Sequence, residues 1–163
     1  MTDTESSEME TGYEVVEAPR DVRIERETRD MYEALREDEA SPYQGAQLMQ
    51  IFLNAAAVGS DQGLRQPLEG DAMALFNVSS LAEKDHTLLR SIAWKETEDE
   101  EIYYNHKRML RIASEFANGG IRHLYRNRLG MGDNVNELLS DYVTRWRDLE
   151  GELEERSLLE STE

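Results

Sequence analysis

From Gln44 to Val58 the chain reads QGAQLMQIFLNAAAV, and Leu48, Met49, Ile51, Phe52, Leu53 and Ala55 to Val58 cover almost the whole circumference of a helical wheel. A helix that is apolar nearly all round is a buried one. This segment is therefore predicted to be the central core helix, ended by Gly59. Upstream, Ile24, Met31 and Leu35 predict a short helix over about 27–37, broken by Ser41-Pro42. Downstream, Gly59-Ser60-Asp61-Gln62-Gly63, Pro67 and Gly70 read as a connection. Met73 to Val78 is either a strand or a helical turn, and a lone strand would have no sheet to join. Ser80 with Glu83, and Thr97 with Glu100, carry the spacing of a capping box. They predict one helix through Leu81, Leu88, Leu89, Ile92 and Ala93, and another through Tyr103, Met109, Leu110, Ile112, Ala113 and Phe116. Asn118-Gly119-Gly120 is predicted to stop the second in a left-handed turn. A short helix through Ile121, Leu124, Tyr125 and Leu129 then leads to a Gly130-Met131-Gly132 turn.

The last periodic stretch starts at Asp133 or Asn134. Its apolar positions, Val135, Leu138, Leu139, Tyr142, Val143, Trp146, Leu149 and Leu153, follow mostly in steps of three and four. Such a stripe either packs on the protein's own core, or projects over Trp146 to Leu153 and pairs with another chain as an oligomer contact. The pattern as a whole predicts an all-α fold. It consists of a compact domain of five to six helices over residues 19–157, ending in a long amphipathic helix. Acidic, unstructured tails are expected at 1–18 and 158–163.

Composition narrows the function. At 163 residues and 39% hydrophobic, the chain has material for one modest core. No apolar run approaches the ~20 residues that cross a bilayer. Residues 1–18 hold no basic residue and no apolar core, so no signal peptide is expected there and the expected location is cytoplasmic. The absence of cysteine excludes disulfides, a thiol nucleophile and thiolate metal ligands. The net charge is -17, of which residues 1–18 carry -6 and residues 148–163 another -6, leaving -5 for the middle. This acidity fits a partner with a basic surface or, with arginine outnumbering lysine 15 to 3, a halophilic, high-salt cytosol.

Catalytic patterns are missing. His86, His106 and His123 include no i, i+4 metal pair, although His106 and His123 flank the predicted Asn-Gly-Gly turn and would meet if it folds back. There is no Gly-x-Ser-x-Gly elbow and no phosphate loop. Neither a cofactor nor a metal is expected, and a binding role is favoured over catalysis. One cluster opposes the overall charge: Lys107, Arg108, Arg111, Arg122, Arg126 and Arg128, against Glu115 alone. Lys107 with Arg111, and Arg122 with Arg126, are i, i+4 pairs sharing a helix face. These cations either pair with the chain's surplus carboxylates or receive an acidic partner or nucleic acid, for which the arginine fork suits phosphate.

Three stretches together resemble a known family. They are Phe52 to Leu68 with its Gly59-x-x-x-Gly63-x-Arg65-x-Pro67-Leu68 connection, Ile92-Ala-Trp-Lys-Glu-Thr-Glu-Asp99, and Glu115-Phe-Ala-Asn-Gly-Gly-Ile121. Their order and spacing over roughly residues 20–125 are similar to the DNA phosphorothioation-associated protein 4 family, named for its occurrence beside DNA sulfur-modification and restriction genes. The resemblance implies a cytoplasmic, non-enzymatic accessory subunit in defence against foreign DNA, with a modification or restriction protein as partner. Direct DNA binding by the arginine cluster is the alternative. The long final helix and the acidic tails depart from the family pattern. Arg65 within the first motif is expected either to bond the free carbonyls ending the core helix or to join a binding surface.

Overall fold

The computed structural model describes residues 15–127 and 134–162. In chain order these form β1 (Asp21–Glu25), α1 (Arg29–Glu37), α2 (Leu48–Gln62), β2 (Ala72–Asn77), α3 (Glu83–Thr97), α4 (His106–Arg126) and α5 (Asn134–Thr162). The fold is mostly helical, as the periodicity predicts, with one addition. β1 and β2 pair antiparallel, Asp21 opposite Asn77 and Glu25 opposite Ala72. The stretch around Met73 is therefore a strand, and Ile24 belongs to its partner rather than to the first helix. Val22 and Ile24 alternate with Asp21 and Arg23, which turns both apolar side chains to the buried face. A five-residue run offers too few periods for the sequence to declare this.

α2 is buried along most of its length, and Phe52 lies fully inside with its ring edge-on to Phe76 at 5.4 Å. It does not end at Gly59. The helix runs on to Gln62 and closes on Gly63, whose φ of 67° is left-handed. Likewise α4 passes straight through Asn118-Gly119-Gly120, where a left-handed stop was expected. The reason is a close crossing. A Cβ on Gly59 would collide with the Phe116 carbonyl oxygen, one on Gly120 with that of Ala55, and one on Gly119 with that of Leu64. Glycine inside a helix costs ~0.5–1 kcal/mol relative to alanine. Here it permits backbone-to-backbone packing that no side chain would allow.

The helix starts also differ from the predicted boxes. α3 begins after Ala82, whose N–H donates to Asp85 Oδ2 at 2.9 Å, while Ser79 and Ser80 lie in the preceding turn. Thr97 is the last residue of α3, its hydroxyl donating to the Ala93 carbonyl. The cap of α4 is Asn105, whose Oδ1 accepts the Arg108 N–H at 3.0 Å. A short polar residue three positions before a glutamate is a common arrangement, and the true starts lie two and eight residues further on.

α5 packs on the protein's own core. Tyr142 is 2% exposed and Trp146 is 1% exposed. The Tyr142 hydroxyl donates to Ser60 Oγ at 2.8 Å and accepts from Lys95 Nζ at 3.1 Å, tying α5 to α2 and α3. The Trp146 indole lies edge-on to Trp94 and stacks on Tyr103, with ring centroids 6.4 and 6.2 Å away. Near the other end of the chain, Val16 N–H donates to the Tyr104 carbonyl and the Val16 carbonyl accepts from His106 N–H. The packed chain thus begins ahead of Pro19. The predicted Gly130-Met131-Gly132 turn lies outside the described residues.

Candidate functional site

Three of the arginines singled out in the sequence are held by carboxylates. Arg65 donates through Nε to Glu115 and through Nη1 to Glu96, both at 2.7 Å, and its guanidinium lies 5.9 Å from the centre of the Phe116 ring. The end of α2 is closed by backbone instead: Leu64 N–H donates to the Gly59 carbonyl at 2.8 Å. Arg65, Glu96 and Glu115 come from the three motif stretches, so these stretches converge on one junction. Arg108 pairs with Asp99 at 2.8 Å and with Glu101 at 3.3 Å.

Arg122 sits in a polar network around the buried Glu25 and Asn118. Its Nη2 donates to Glu25 at 2.8 Å and to Glu27 at 2.7 Å, while Nη1 donates to the side-chain and main-chain oxygens of Asn118. Asn118 Nδ2 in turn donates to Glu25 and to the Gln66 carbonyl. Glu25 also accepts the Glu69 N–H, so β1, the 64–70 connection and α4 share one carboxylate. Burial works to raise the Glu25 carboxyl, but the donors from Glu69, Arg122 and Asn118 outweigh it and hold it below the ordinary glutamate value.

Because α4 is continuous, the two basic pairs do not face each other. Lys107 and Arg122 are fifteen residues apart on one helix, about 22 Å along its axis. Arg126 is exposed at the far end, its Nε donating to the Arg122 carbonyl. Arg128 lies outside the described residues. Lys107 and Arg111 are exposed on the first turns of α4, and neither has a carboxylate within ion-pair distance among the described residues. Together with Arg108 they line a cavity of about 510 Å³. Arg23 of β1 joins them there, a residue that sequence reasoning missed because no spacing rule links it to α4. Val16, Leu68 and Leu110 supply apolar lining, and Asp21 and Glu115 stand at the same cavity.

The histidines are arranged differently from the expectation too. His106 starts α4 and His123 lies seventeen residues on, about 25 Å away along the axis. His106 instead lies beside His86 and Arg90 of α3, in a second cleft of about 650 Å³. His86 is half-buried. Among the described residues no group of three or more histidines and carboxylates is placed to hold a metal ion, and no helix is long and apolar enough to cross a membrane.

Fold and side-chain placement together define a mostly helical protein whose motif residues hold the core together and whose Lys107 and Arg111 stand exposed at the start of α4. A family model described as DNA sulphur modification system-associated protein 4 matches residues 21–160, and the chain belongs to that family. The match includes α5, so the long final helix is part of the family pattern and not a departure from it. This agrees with the burial of Tyr142 and Trp146. No curated protein and no solved structure matches the chain.

Proposed function

We propose that the protein is a non-catalytic docking subunit of a DNA sulphur modification system, and that it presents the Lys107–Arg111 end of α4 to acidic side chains of a larger protein of that system. One observation carries this reading. In a chain with 35 acidic residues, Arg65, Arg108 and Arg122 are each held by two carboxylates, whereas among the described residues Lys107 and Arg111 stand unpaired beside a cavity with apolar lining. Unpaired cations around an apolar depression match the rim and centre of a protein interface. The net charge of -17, with Asp21 and Glu115 at the cavity, disfavours a polyanion as the occupant.

Affinity purification of the tagged protein from its native host, at native salt, tests the reading. Recovery of a modification or restriction subunit is expected, and its loss from a Lys107→Glu/Arg111→Glu variant locates the face. Recovering none of the system's proteins would sink the proposal. DNA binding whose logarithmic affinity falls steeply with logarithmic salt would replace it with a phosphate-binding role.

A further inference from the structure

The chain has a second concentration of unpaired nitrogen groups, separate from the docking face. Residues 17–20 border the junction of α3 and α4, where a cleft of about 650 Å³ opens. His86 and Arg90, one turn apart on α3, line it from one side, and His106, the first residue of α4, from the other.

Arg90 stands apart from the arginines of the core networks. Glu17 and Glu83 line the same cleft, yet among the described residues no carboxylate lies within ion-pair distance of its guanidinium, which rests 5.9 Å from the centre of the Tyr103 ring. Its Nε and the Nδ1 of His86 are buried without a hydrogen-bond partner among the described residues. Buried polar nitrogens are nearly always satisfied, and two orphans four residues apart on one helix point to an acceptor both would share. We propose that this cleft binds a small oxyanion of the phosphate class, held by the Arg90 guanidinium and the imidazoles of His86 and His106. A guanidinium fork matches two phosphate oxygens, and imidazoles approaching from two helices offer donors to the others.

Proton uptake follows from the same geometry. Burial and the nearby Arg90 charge hold both imidazoles below the ordinary histidine value; Asp85 pulls His86 back up and Glu17 does the same for His106. With Arg20 at the rim, the cleft holds two fixed cations and the carboxylates of Glu17 and Glu83, which offset one another while the imidazoles are neutral. An anion cancels the repulsion from Arg90 and favours both imidazolium forms. By linkage, protonating the imidazoles tightens any given charge form of the anion.

Inorganic phosphate titrated at constant ionic strength, with the imidazole signals followed by NMR, is the test. His86 and His106 should shift saturably and titrate at higher pH in phosphate, while His123 stays put. Arg90→Gln should weaken phosphate at least about tenfold, as expected for loss of a charge-assisted contact. If Arg90→Gln does not fold, His86→Asn should show the same loss. A nucleoside monophosphate binding more tightly than phosphate assigns a phosphate ester as the natural source, and equal binding assigns the free anion. No saturable shift, or equal binding by a folded variant, overturns the site. Since none of these residues belongs to the Lys107–Arg111 face, either proposal can fail alone.

Discussion

The α-carbon of Gly120 lies against the carbonyl oxygen of Ala55, so close that a methyl group there would collide with it. Gly59 on α2 makes the reciprocal approach to Phe116 on α4. Gly120→Ala must therefore push two helices apart, and overpacking of this kind typically costs ~1–3 kcal/mol. Gly151 in α5 has open space around it, so Gly151→Ala should be neutral or gain up to ~1 kcal/mol from helix propensity. Urea denaturation of the two variants measures the contrast. Equal midpoints would mean that α2 and α4 separate freely.

Glu25 and Arg122 make stability depend on acid. The folded carboxyl titrates below its ordinary value, so its contribution is complete above that value and disappears as pH falls through the folded one. Comparing denaturation midpoints at pH 7 and in progressively more acid buffer should show a loss that is smaller in Glu25→Gln, which starts out less stable. Arg122→Ala removes the partner of a carboxylate only 6% exposed and should cost about 3 kcal/mol at neutral pH. The exposed pair with Glu27 adds little.

The Lys107→Glu/Arg111→Glu variant should melt within about 0.5 kcal/mol of the parent, since neither side chain is buried or ion-paired. Phe52→Ala, by contrast, empties a fully buried site and should cost ~3–5 kcal/mol. Thermal melts at the same high salt compare them. If the charge-reversal variant melts as low as Phe52→Ala, the basic end of α4 is part of the core and not a docking face.

Trp146→Ala should likewise cost ~3–5 kcal/mol, because the indole fills the space between Trp94 and Tyr103. The variant should also expose Trp94, shifting its fluorescence to the red. An unchanged emission maximum and melting point would mean that α5 is not docked through Trp146.

What the sequence declared and what it hid divide along physical lines. The all-round apolar run of α2 and the three-four stripe of α5 are local signals, and both became the helices they predict. Asn118-Gly119-Gly120 carried a local signal for a stop, and tertiary packing overrode it. A glycine in a sequence says only that no side chain is present; whether the vacancy serves a turn or a neighbouring helix is decided by what lies across from it. The pairing of Glu25 with Arg122 spans 97 residues, and that of β1 with β2 about fifty. No spacing rule reaches across such separations. For the same reason Lys107 and Arg111 were legible as cations, but their lack of partners was not.

The glycine crossing also constrains how this chain can diverge. An ion pair survives evolutionary drift by exchanging its members, and a hydrophobic contact by trading a large residue for a small one. Gly59, Gly119 and Gly120 have no such exchange, because each opposes a main-chain carbonyl that every amino acid carries. No second substitution on the facing segment can compensate for a change at any of them. A descendant that loses one must re-space its two central helices, and with them the junctions of Arg65 and Arg122. These three positions are inherited together or the architecture changes.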